Sequence, residues 1–151
     1  MGRALALALG ARGYDVVVSG ANERALGRVV GEIVCGGGQA RHIAGNGGDP
    51  AHIDAALEKT REAFGELTLG VVVATDAHEM TRVVAAVREA SKARIVAACL
   101  VPMFSDPLPA PGESFATLRM TGGGNPERFL DLALFVATAR TTSPAPLLLL
   151  A

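Results

Sequence analysis

The sequence predicts an α/β fold, a parallel sheet with helices on both faces, and three observations carry that expectation. Hydrophobic spacing switches between a helical period and short β-branched runs, as in "ALALALGARGYDVVVSG". Two runs, "LGVVVA" and "ARIVAAC", are apolar almost throughout, as in strands covered on both faces. Helix-capping residues recur between the strands, so helices and strands alternate as βαβ units require.

Taken in order, Arg3 to Arg12 holds helix formers with no breaker until Gly13, a natural stop. Tyr14 to Val18 follows as a short strand of the buried type. Asn22 can cap a second helix through about Val34, with Leu26, Val29, Val30 and Ile33 on one face. Gly36-Gly37-Gly38 ends that helix before the strand "QARHIAG". Asp49-Pro50 starts a third helix, because Asp caps well and Pro suits the first helical position; Ile53, Ala56, Leu57 and Phe64 recur at helical spacing. "LGVVVA" is the next strand, and a helix from about Ala77 to Ser91 leads into "ARIVAAC". Residues 97–124 read as an irregular Pro- and Gly-rich connection. Asn125-Pro126-Glu127 then caps a helix reaching about Ala139, and "PLLLLA" closes the chain as a strand. Residues 1–151 are expected to form a single domain.

Composition excludes several partners. With 50% hydrophobic and 19% charged residues, the chain can bury a sizeable core. Fourteen Lys and Arg against 15 Asp and Glu, no basic run, one Tyr and no Trp leave little for nucleic acid to hold. The longest apolar runs fall far short of the roughly 20 residues of a membrane span, and no signal peptide of ordinary length follows Met1, so a cytoplasmic protein is expected. Cys35 and Cys99 lie in apolar settings and read as buried free thiols rather than a disulfide.

The string "GRALALALGARGYDVVVSGANERAL", the later "ARHIAGNGGDPAHIDAALEKTREAFGEL", then "ARIVAAC" and "NPERFLDLALFVATA" together resemble the short-chain dehydrogenase/reductases. The resemblance covers most of residues 1 to about 100 and again 119–151, and implies a Rossmann-like sheet that is incomplete relative to the family. It also implies a glycine-rich turn, TGxxxGxG, ahead of the first helix, where backbone N–H groups would take a cofactor pyrophosphate. Met1-Gly2-Arg3 stands where that turn would end, so Gly2 matches its final glycine alone. Two origins fit this: a natural chain that has lost the turn, or a start placed at an internal methionine of a longer reading frame.

Other family positions also depart from the pattern. After the second family strand, where an acidic or basic residue selects NAD or NADP, the chain has Ser19-Gly20-Ala21-Asn22. The acidic residue facing the adenine corresponds to Asn46, beside Gly47, which also reads as a polar turn residue. The NNAG segment counts out to Val72-Val73-Ala74-Thr75, without its two amides. The residual cofactor positions that the resemblance implies are therefore Gly2, Ser19, Asn46, Gly47 and Ala74. The family's catalytic Ser falls on Leu100, after Cys99, and no YxxxK occurs: the only tyrosine is Tyr14, and the only lysines are Lys59 and Lys92. No catalytic residue is assigned, and no cofactor is expected, NAD(P) being the cofactor only if the family function is retained.

Asp76, His78 and Glu79 gather after "LGVVVA", where open α/β sheets place ligands, and could hold a metal or an acid/base pair; an acidic helix cap is the plainer reading. Gly36-Gly37-Gly38 and Gly122-Gly123-Gly124 lack the Lys-Ser/Thr of a phosphate loop, and His42 and His52 read as surface or packed histidines. No metal site is assigned. The expected function is a non-catalytic binding or assembly subunit, associating with itself or with a full-length homologue. The alternatives are an NAD(P)-dependent oxidoreductase represented by a truncated chain, or a small α/β enzyme with its site near Asp76 and His78.

The resemblance raises a problem for the sheet. The family's first strand is central, between those at Tyr14 to Val18 and Leu69 to Ala74, and here it has no counterpart upstream. Pro146 to Ala151 is the expected replacement, from this chain or from a partner, because four consecutive leucines suit a strand covered on both faces. Incomplete closure would make the protein an oligomer.

Overall fold

The structure is a computed structural model, and it describes residues 2–74, 77–91, 94–100, 115–120, 131 and 147–150. Among the described residues the elements follow in the order α1 (Gly2–Gly10), β1 (Val16–Gly20), α2 (Glu23–Cys35), β2 (Ala40–Ala44), α3 (Pro50–Phe64), β3 (Leu69–Ala74), α4 (Ala77–Ala90), β4 (Arg94–Leu100), β5 (Phe115–Met120) and β6 (Leu147–Leu150). The strands form one sheet of order β2-β1-β6-β3-β4-β5, parallel at every pairing.

The caps form as the sequence predicts. Asn22 Oδ1 accepts the Ala25 N–H at 3.0 Å, and Asp49 Oδ1 accepts the Ala51 N–H at 3.0 Å with Pro50 at the start of α3. Each bond satisfies a donor that the first helical turn leaves without a partner.

Alternation along β1 separates two cores. Val16 and Val18 pack with Leu5, Ala6, Leu9, Val29 and Ile33 on the face covered by α1 and α2. Val17 packs with Ile53, Ala56, Leu57, Val83, Val84 and Val87 on the face covered by α3 and α4. Successive strand side chains point to opposite faces, so a run of valines feeds both cores. The α/β class with helices on both faces holds.

The central position of the sheet is filled by β6. Leu147 to Leu150 pair with Val16 to Ser19 on one side and with Leu69 to Val72 on the other. Helices α1 and α3 pack against β6 from opposite faces. An empty slot would leave backbone groups of both neighbours unsatisfied, at about 1–3 kcal/mol each.

Several sequence expectations need correction. The first strand starts at Val16 rather than Tyr14, because Gly13, at φ 85°, turns the chain and the Tyr14 N–H bonds back to the Leu9 carbonyl at 3.2 Å. The irregular connection given to 97–124 loses residues to two strands: β4 runs to Leu100, and β5 pairs with it from Ile95↔Phe115 to Leu100↔Met120. As an edge strand, β5 needs no continuous apolar run to mark it. Cys35 is exposed rather than buried, since it ends α2 outside the stripe of Val29 and Ile33 that meets the core. The helix expected from Asn125 to about Ala139 lies outside the described residues except for Asp131, which is helical. Among the described residues, no helix is long and apolar enough to cross a membrane.

Candidate functional site

In an all-parallel sheet the strand C-termini share one edge, and ligands of open α/β folds gather there. Four sequence-derived positions belong to that edge: Gly2 at the start of α1, Ser19 near the end of β1, and Asn46 and Gly47 between β2 and α3. The fifth, Ala74, is the last residue of β3 and pairs with Cys99 of β4.

Gly2 and Ser19 meet on one cavity of about 180 Å³ between α1, β1 and α2. Arg3 and Ala6 of α1, Val18 of β1, and Ala25, Leu26 and Val29 of α2 complete its lining. The Arg3 guanidinium is paired with Glu32 of α2 at 2.5 Å.

Ser19 does not present its hydroxyl to this cavity. Its Oγ lies 2.7 Å from His52 Nε2 in a buried hydrogen bond to the first turn of α3. Strand alternation explains the direction: Ser19 shares the parity of Val17, which faces α3 and α4, and not that of Val18. His52, read from sequence as a surface or packed histidine, is packed, and its bond to Ser19 is what the sequence did not signal. Gly45 makes room for it, since a Cβ there would run into the imidazole ring.

Asn46 is occupied in shaping the β2–α3 loop. Its Oδ1 accepts the Gly48 N–H at 3.0 Å, and its carbonyl accepts the Asp49 N–H at 3.0 Å, an Asx turn leading into the cap of α3. Gly47 lies within this turn, and Glu79 and Arg82 of α4 approach Gly48 from the neighbouring helix. Of the acidic group considered from sequence, Asp76 lies outside the described residues, while His78 and Glu79 fall in the first turn of α4. Among the described residues, no group of three His, Cys, Asp or Glu side chains could hold a metal ion. A larger, open groove of about 750 Å³ lies at the opposite edge, where Thr68 and Ser91 precede β3 and β4.

Backbone N–H groups at a helix N-terminus are what hold a pyrophosphate in such folds, and among the described residues α1 begins at Gly2, on the rim of this cavity. Beside the cavity, the Ser19 hydroxyl is turned to the other face of the sheet and Arg3 forms a surface ion pair with Glu32.

No family model matches the chain. Over 70 residues, 46% of the chain, it is 41% identical to versicolorin reductase stcU of Emericella nidulans, and the match spans 26% of that protein, about a quarter of its length. A metagenomic short-chain oxidoreductase solved in complex with NADP superposes with a TM-score of 0.60 at 17% identity, covering 98% of this chain and 90% of that one. A short-chain dehydrogenase/reductase structure from Sinorhizobium meliloti 1021 gives 0.58 at 15% identity, covering 99% and 91%. Identities this low speak for the fold alone. In fold the chain resembles these short-chain dehydrogenase/reductase structures, and over the 70-residue segment its sequence is similar to versicolorin reductase.

Proposed function

We propose that this chain is a short-chain dehydrogenase/reductase-like binding or assembly subunit, cytoplasmic, that carries out no redox chemistry on its own residues. The observation behind the reading is the position of Tyr14. The chain's only tyrosine is 5% exposed and precedes β1, at the edge of the sheet opposite the strand C-termini where a bound substrate would sit. A proton donor must come within hydrogen-bond reach of the reacting atom, and a placed acid is commonly worth about 10²–10⁴-fold in rate. Neither Tyr14 nor the paired Arg3 meets that need. Association with a second copy or with a full-length homologue is the role we assign.

A second reading is favoured by the 41% identity to versicolorin reductase over 70 residues. In it, the segment belongs to an NAD(P)-dependent oxidoreductase whose remaining machinery lies outside this sequence.

Calorimetry with NADH and NADPH separates the two. The first reading expects no binding at physiological nucleotide concentrations and no NADPH oxidation with ketones above background. A micromolar dissociation constant would favour the second.

A further inference from the structure

We infer that the free edge of β2 is a surface for pairing with β2 of a second copy, antiparallel about His42, and that Arg41 is a latch holding this edge shut. Among the described residues β2 ends the sheet, with β1 on its inner side alone. The Val16 N–H bonds the Gln39 carbonyl and the Gly45 N–H bonds the Gly20 carbonyl, each at 2.9 Å, so the odd-numbered residues of this strand turn their backbone groups inward. The N–H and C=O groups of Ala40, His42 and Ala44 therefore point away from the sheet. One of these outward carbonyls is already taken. Arg41 Nη1 donates to the Ala40 oxygen at 2.9 Å, while the guanidinium carbon lies 5.9 Å from the centre of the Phe64 ring at the end of α3. The ring attracts the cation above it, which keeps the side chain folded back across the edge instead of extended into water. Ala40 is 0% exposed although it lies on an edge strand.

Symmetry names the occupant. Ala40 and Ala44 stand at equal distances along the strand from His42, so a two-fold axis at His42 sets Ala40 of each copy opposite Ala44 of the other, as hydrogen-bonded pairs of an antiparallel ladder. The Ala40 side chain is buried in the core and exposed Ala44 carries only a methyl group, so neither obstructs the approach. The latch acts on this same pair, because the Ala40 oxygen that would accept the incoming Ala44 N–H is the one Arg41 occupies. A charged side chain on an edge strand hinders pairing; here it also takes the acceptor. The inference rests on the proposed assembly role in naming a second copy as the partner, and not on the absence of nucleotide binding.

The test follows native-state amide exchange of the full chain across a range of protein concentrations. In the unaltered chain at low concentration, the His42 and Ala44 amides should exchange as solvent-facing groups. Arg41→Ala should protect both amides as concentration rises and tighten the dimer at least about tenfold in sedimentation, since one acceptor is freed on each copy. Phe64→Leu, which removes the ring beneath the guanidinium, should act in the same direction. Ala44→Pro takes away only an outward N–H, which edge strands tolerate, and in the Arg41→Ala chain it should abolish the added protection of His42. Unchanged exchange at His42 and Ala44 in Arg41→Ala, or protection of His42 that survives Ala44→Pro, overturns the inference. Protection independent of concentration in the unaltered chain also overturns it, because the chain would then cover its own edge. Micromolar binding of NADPH counts against the proposed function alone.

Discussion

Ser19 and His52 stand 33 residues apart in sequence and 2.7 Å apart in the fold, and Gly45 is what lets the imidazole reach its place. Nothing local in "VVVSG" or "PAHID" announces the pair. It depends on strand parity, on the first turn of α3 and on a missing Cβ in a third segment, so it was illegible in the sequence. Gly45→Ala forces the ring aside, and we expect a loss of about 1–3 kcal/mol from overpacking. His52→Ala leaves the buried Ser19 hydroxyl without this partner, at about 1–3 kcal/mol. Because both changes act on one ring, Gly45→Ala combined with His52→Ala should cost less than the sum of the two, with a coupling of about 0.5–3 kcal/mol in denaturant titrations. Strict additivity would show that Gly45 and His52 are not in contact.

At the scale of elements, helix starts were the most legible feature, because a cap is a local device. Asn22 and Asp49 bond the backbone N–H groups of Ala25 and Ala51, each only two or three residues on. Asn22→Ala should therefore cost about 1 kcal/mol, a fall of roughly 2–4 °C in midpoint for a chain of this length. Strand limits were less legible. Tyr14 looks like strand because it is aromatic and precedes three valines, yet it caps the turn after α1; Phe115 to Met120 looks like loop because prolines crowd the sequence before it. The leucine strand was legible for a different reason: "PLLLLA" has no polar residue to face water, and β1 and β3 needed a strand between them. Within β6, every N–H belongs to a ladder on one side or the other, so Leu148→Pro removes a bond that no relaxation restores. We expect that variant, like deletion of residues 146–151, to lose solubility or to unfold at a clearly lower temperature. A truncated chain that stays folded, monomeric and equally stable would take the terminal strand out of the core.

For the molecule as a whole, alternation of helices and strands was enough to read the parallel sheet with two covered faces, since that follows from periods of hydrophobicity. The site was only partly legible. Gly2 and Ser19 do come together on one cavity, but Asn46 and Gly47 build a turn, and the cavity itself arises where α1 and α2 leave space over Val18. Such a space depends on how the helices pack and has no signature in the chain. The order β2-β1-β6-β3-β4-β5 carries the largest consequence, because it makes Leu147–Leu150 the strand that joins the two halves of the sheet. Native-state amide hydrogen exchange tests this most directly. Amides deep in a central sheet exchange only by global opening, so those of Leu148 and Leu149 should be as strongly protected as those of Val17 and Val71. Exchange of Leu148 and Leu149 at the rate of an unstructured tail, with Val17 and Val71 still protected, would contradict the account.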